Sequence, residues 1–177
     1  MNQLTNRSDH LPRRHWLIGL AAATAGHSCF GQDKGTDKGN PASLYAPDEI
    51  DRAVKSGVEY LVNAQRDNGS IADRGHEVAM TALAIMAMAS IGIEPQAFST
   101  AGRSMGKALD FVLQKKHQDA QGYLGGRDGS RMYGHGITTL MLTEMLGMGA
   151  TVEQNKQIHE MLVNAIKLIL SAQDVSK

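Results

Sequence analysis

Cysteine is almost missing from this chain of 177 residues: the one present, Cys29, lies near the N-terminus. No disulfide can form within the chain, and thiolate catalysis or a Cys-containing zinc site is closed to everything downstream. Aromatic side chains are also scarce, at 5 % of residues with three Phe and one Trp. A cavity walled by aromatics to stabilise carbocations is therefore hard to build from this composition. Neither sign of charge is in excess, because 18 Lys+Arg balance 18 Asp+Glu. A nucleic-acid partner is not expected, since the basic stripe that neutralises phosphates is lacking. No apolar run clearly reaches the roughly 20 residues that cross a bilayer, so the mature chain should hold no stable transmembrane span. What is abundant is aliphatic and thioether material: 42 % hydrophobic residues and ten Met, with 19 Gly against four Pro. That is enough for one domain with a real core and many short turns.

Residues 1–31 read as an export signal. A polar stretch leads into Pro12-Arg13-Arg14-His15-Trp16-Leu17, followed by the apolar run Leu17–Ala25. The run has the length of a signal-peptide h-region rather than of a membrane span. Adjacent arginines followed by a large apolar pair resemble the twin-arginine signal, with Trp16 standing where Phe is usual. A general secretory signal is the alternative, and Gly26-His27-Ser28-Cys29 is a weak match to a lipoprotein box. Cleavage is expected after Gly31. Residues 32–46 have linker composition, and 47–177 form the folded domain. The mature protein is expected to be periplasmic or extracellular.

Within that domain two kinds of helical segment alternate. Segment 48–65 is amphipathic, with Ile50, Val54, Val58, Leu61 and Val62 on one face and Asp48, Glu49 and Asp51 at the positive end of the helix dipole. Segment 104–116 carries Met105, Leu109, Val112 and Leu113 in the same way. Segment 153–172 is predicted to bury Ile158, Leu162, Ala165, Ile166 and Ile169. Between them, His76–Ile91 and Gly134–Met148 are apolar nearly all round, and such helices need cover on every side. The segments also match one another: Gly57–Val62 recurs as Ala108–Leu113 and Ala165–Leu170, and Thr81-Ala82-Leu83 as Thr138-Thr139-Leu140. An ordered set of matches marks an internal repeat. The fold class is therefore all-α, a partial α/α toroid of antiparallel hairpins in which neighbours stack because one hairpin cannot cover its own apolar surface.

Tyr60-Leu61-Val62-Asn63-Ala64-Gln65-Arg66-Asp67-Asn68-Gly69-Ser70-Ile71 resembles the QW motif of squalene–hopene cyclases, with Ile71 in place of the Trp. The second copy runs from Phe111-Val112 to Gln121-Gly122-Tyr123, and the third ends at Gln173. Met132 through Gly147 is similar to inner-helix segments of the prenyltransferase/squalene-oxidase repeat group. The resemblance covers about residues 48–173 and implies the toroid fold. Closed toroids of this kind have five or more hairpins, and about two and a half are visible here. The chain is thus expected to be truncated, a fragment, or a protomer completed by another chain.

The catalytic signatures that the resemblance would carry are missing: no Asp-x-Asp-Asp acid, no Asp/Cys/His zinc set in the body, no Cys-Glu-Gln thioester segment. No cofactor and no metal are expected. The polar residues left beside the inner helices are His76 and Glu77 at the start of the first, Tyr133 and His135 at the start of the second, and Glu144 within it. Helix N-termini favour anionic or polar ligands, so these five are the candidate ligand-binding residues; caps and loop contacts are the structural alternative. Glu144, if buried, must be paired, with Arg127 or Arg131 as candidates. Asp67–Ser70 and Arg127–Ser130 look like equivalent turns, while His117 and His159 are expected at the surface.

Together these readings describe an exported, non-catalytic helical-repeat module that binds a ligand or a protein partner. A second copy or another protein would cover the open repeat edge, and a hydrophobic small molecule is the other candidate. The alternative is a partial or degenerate terpene cyclase-like enzyme without its acid.

Overall fold

The computed structural model describes residues 48–71 and 75–174; the export signal and the linker expected from the sequence lie wholly outside them. Five helices follow in order: α1 (Glu49–Asn63), α2 (Glu77–Ser90), α3 (Thr100–Val112), α4 (Arg131–Glu144) and α5 (Val152–Asp174). A short 3-10 turn, Lys115–His117, follows α3. The described residues contain no strand; Gln65 and Ile71 form one isolated antiparallel bridge. The fold is all-α, and no described helix is long and apolar enough to cross a membrane.

The helix starts obey local chemistry. Asp48 caps α1 by accepting the Asp51 amide at 2.8 Å, and the Asp51 carboxylate accepts the Asp48 amide in return. This reciprocal box satisfies two donors that the helix itself cannot. Ser99 caps α3 through the Gly102 amide. For α5 the equivalent contact is Thr151 accepting the Gln154 amide. Helix α3 begins and ends four residues earlier than its apolar stripe suggested, because Ser99 supplies the cap.

α2 and α4, the two nearly all-apolar segments of the sequence, pack on each other; α3 packs on α2, α5 on α4, and α1 on α3. The core between them is aliphatic and thioether-rich, with Ile85, Met88, Met105, Leu109, Met141, Leu142, Met145 and Ile158 fully buried around Phe111. Removing such a side chain typically costs about 2–5 kcal/mol.

Three burial expectations are corrected. No residue of α1 is buried, and Ile50 is 71 % exposed. Its stripe exists, and it is partly covered by α3. α2 and α4 are not enclosed either: Met80 and Leu83 on one, and Met132, Tyr133 and Leu140 on the other, are exposed. Each rod packs mainly on its partner rod and on one flanking helix. Ile166 of α5 is likewise exposed, whereas Ile158, Leu162 and Ala165 are buried.

Candidate functional site

Two loops, each following a flanking helix, have the same construction. The Gln65 side-chain amide donates to the Gly69 carbonyl at 3.0 Å and to the Ser104 carbonyl of α3 at 2.8 Å. The Gln118 side-chain amide donates to the Gly122 carbonyl at 3.1 Å and to the Met161 carbonyl of α5 at 2.8 Å. Each glutamine thus closes its own loop and ties it to the next flanking helix. The glycines have φ of +91° and +93°, and a Cβ on either would overlap the carbonyl of Lys107 or Asn164. Glycine is needed there for both reasons. Two residues after each glycine comes a buried aliphatic, Ile71 or Leu124. The Ile71 amide donates to the Thr81 hydroxyl, and the Leu124 amide to His135 Nδ1.

The register of this repeat differs from the one read along the sequence. Gln118, not Gln121, is the second glutamine; Gln121 is exposed and makes no such bridge. The spacing Gln-x-x-x-Gly, shared by Gln65–Gly69 and Gln118–Gly122, was the available signal. The helices repeat at 51 residues (Gly57 to Ala108) and the loops at 53 (Gln65 to Gln118). The added residues fall at the 3-10 turn. In loop register Asp67–Ser70 matches Ala120–Tyr123, yet Arg127–Ser130 is the same turn as Asp67–Ser70: the Ser70 and Ser130 amides and hydroxyls donate to the side chains of Asn68 and Asp128, and the intervening Gly69 and Gly129 have φ of +91° and +72°.

The five candidate residues do not form one cluster. His76 and Tyr133 face a common groove of about 530 Å³ between the first turns of α2 and α4, with Met80, Leu83, Met132 and Ile137. Tyr133 is 86 % exposed. Glu77 pairs instead with Arg66, and the Thr81 hydroxyl donates to its backbone carbonyl. His135 is 1 % exposed and points into the protein. Because its Nδ1 accepts the Leu124 amide at 3.3 Å, the proton of the neutral ring must sit on Nε2. Burial lowers its pKa, opposed by the Ala165 carbonyl and the Asp119 carboxylate. His135 is thus buried and accepts one hydrogen bond through Nδ1, while Nε2 has no hydrogen-bond partner.

Glu144 closes α4 at the opposite end and is exposed, so it needs no buried partner. Arg131 starts the same helix, roughly 20 Å away at 1.5 Å per residue. The other arginine considered, Arg127, donates to the Lys116 carbonyl instead.

Two features were not legible as site elements. Asp128 accepts the Val78 and Ala79 amides at 3.1 and 3.3 Å, and so caps α2 from a distant loop. His117 is buried, contrary to the surface position expected; it packs on Phe111 with ring centroids 4.7 Å apart. His159 is exposed, as read. Among the described residues no three His, Cys, Asp or Glu side chains gather at metal-binding distance. Comparison of the chain with protein-family models, curated proteins and solved structures gave no match.

Proposed function

We propose that the described helices are a section of an α/α-toroid-type array of the prenyltransferase/squalene-oxidase repeat group. It works as an exported, non-catalytic module that binds an apolar ligand or an apolar segment of a partner. The observation that carries this is the uncovered face of α2 and α4. Met80, Leu83, Met132, Tyr133 and Leu140 are all exposed there, and the groove at its N-terminal end is lined mainly by apolar side chains. In a toroid such a face belongs to the inner helices and looks into the central cavity. Exposed apolar side chains grouped on one face mark a binding surface more often than chance scatter does. The twice-built glutamine loop supports the array reading, because the same tie joins α1 to α3 and α3 to α5.

Nothing on this face supports proton-initiated cyclisation. Among the described residues its carboxylate, Glu144, lies at the solvent-exposed C-terminal end of α4, and its aromatic side chain is Tyr133.

Binding of Nile red to the full chain tests the reading. Saturable binding is expected, weakened at least tenfold by Leu83→Lys. Undiminished binding in that variant would place the ligand elsewhere, and turnover of squalene by the purified chain would overturn the non-catalytic assignment.

A further inference from the structure

A polar cleft of about 410 Å³ lies between the start of α2 and the Lys115–His117 turn, bordered by His76, Glu77, Lys116, His117, Arg127 and Asp128. A second cleft, on the side of Asp119 and Tyr123, shares Lys116, His117 and Arg127 with it. His117 is 7 % exposed, and neither ring nitrogen has a hydrogen-bond partner. A neutral imidazole always carries one N–H, and a buried donor left without an acceptor is rare in folded proteins.

The neighbouring charges say what kind of acceptor is missing. Each nearby carboxylate is already engaged. Asp128 is taken by the Val78, Ala79 and Ser130 amides and the Ser130 hydroxyl. Asp119 is taken by the Gln121 and Tyr123 amides, and Glu77 by Arg66. Among the described residues neither cation pairs with a carboxylate: Lys116 lies over the Phe111 ring at 5.8 Å, and Arg127 donates to the Lys116 carbonyl at 3.3 Å. Two cations without a direct carboxylate partner among the described residues, beside an orphaned buried donor, suit a group with several acceptors and negative charge. Arg and Lys together are suited to tetrahedral oxyanions.

We propose that this cleft is a binding site for a phosphoryl group, held by Lys116 and Arg127 and by a hydrogen bond from the His117 ring. The site shares His76 with the apolar groove, but the groups proposed to hold the anion lie outside that groove. Without an anion, burial together with Lys116 and Arg127 pushes the His117 pKa down to about 4, against the opposing pull of Asp128 and Glu77. An oxyanion seated beside the ring reverses that balance.

The test follows the His117 ring nitrogens of the full chain by NMR through a pH titration. Sulfate serves as the probe because it is tetrahedral and stays divalent throughout, with chloride and acetate at matched ionic strength as controls. Sulfate is expected to raise the His117 midpoint by at least one pH unit. Neither control should do so, and Lys116→Gln and Arg127→Gln should each reduce the shift at least threefold. In parallel, inorganic phosphate at pH 7.5 should raise the thermal midpoint of the parent chain and leave that of His117→Phe unchanged. An unmoved midpoint, an equal response to acetate, or phosphate stabilisation that survives His117→Phe would overturn the proposal.

Discussion

The Asp128 carboxylate accepts the amide of Val78 at 3.1 Å, so the first turn of α2 is capped by a loop that the chain reaches fifty residues later. Burial pushes this carboxyl up, but the Ser130 hydroxyl and the Ser130, Ala79 and Val78 amides together outweigh it and hold the pKa below the usual carboxylate range. A pKa lowered by folding means stability that is present above the unfolded value, near 4, and lost as the pH falls through the folded one. Asp128→Ala should cost about 1 kcal/mol at pH 7, the ordinary worth of a cap. In urea unfolding the gap between parent and variant should close below pH 4. A gap that persists at pH 2.5 would show that the carboxylate's charge is not what matters.

Gly122 and Gly57 should respond in opposite directions to the same substitution. Gly122→Ala forces a side chain onto a left-handed backbone, φ +93°, and into the Asn164 carbonyl. A cost above about 2 kcal/mol is expected, since backbone strain alone is worth roughly 1–3. Gly57 lies within α1 with nothing within 4 Å of an added Cβ, so Gly57→Ala should gain about 0.5–1 kcal/mol from helix propensity. Thermal unfolding of both variants reads the difference; equal effects would mean the Gly122 loop is not held against α5.

His117 should make the fold sensitive to mild acid. Burial, with Lys116 and Arg127, lowers its pKa to about 4, below the unfolded value near 6.5. The neutral ring therefore contributes stability above pH 6.5, and this is lost as the pH falls toward 4. Between those limits His117→Phe, which keeps the packing on Phe111, should show a shallower loss of stability than the parent. Identical slopes would contradict the burial of this ring.

If the exposed face of α2 and α4 serves binding rather than folding, polar substitutions there should be tolerated. Leu83→Lys and Leu140→Lys should each change stability by less than about 0.5 kcal/mol, as ordinary surface changes do. Urea unfolding checks this independently of any ligand. Losses of several kcal/mol would place these side chains in the core.

The helices were legible because their apolar positions recur at helical spacing, and Asp48 and Asp51 marked the first start. Burial was less legible. A stripe such as Ile50–Val54 shows which face could be covered, but coverage depends on a neighbour that the stripe does not name. The second loop was misread for a related reason. Gln121 sits next to the motif glycine, Gly122, in sequence, whereas the working glutamine must stand four residues before it to close the loop and reach α5. The 3-10 turn moved Gln118 out of register with its helix. The role of Asp128 had no local signal, since it depends on α2, fifty residues earlier in the sequence; His117 was misplaced because the turn after α3 folds its ring back onto Phe111.

The most direct test of the repeated glutamine tie compares Gln118→Ala with Gln121→Ala by equilibrium urea unfolding. Gln118 is half-buried and bonds both Gly122 and Met161, so its loss strands two carbonyls and should cost about 1–3 kcal/mol. Gln121 is exposed and its truncation should stay within about 0.5 kcal/mol. The reverse order, or two equal values, would contradict the assignment of Gln118 as the residue that joins α3 to α5.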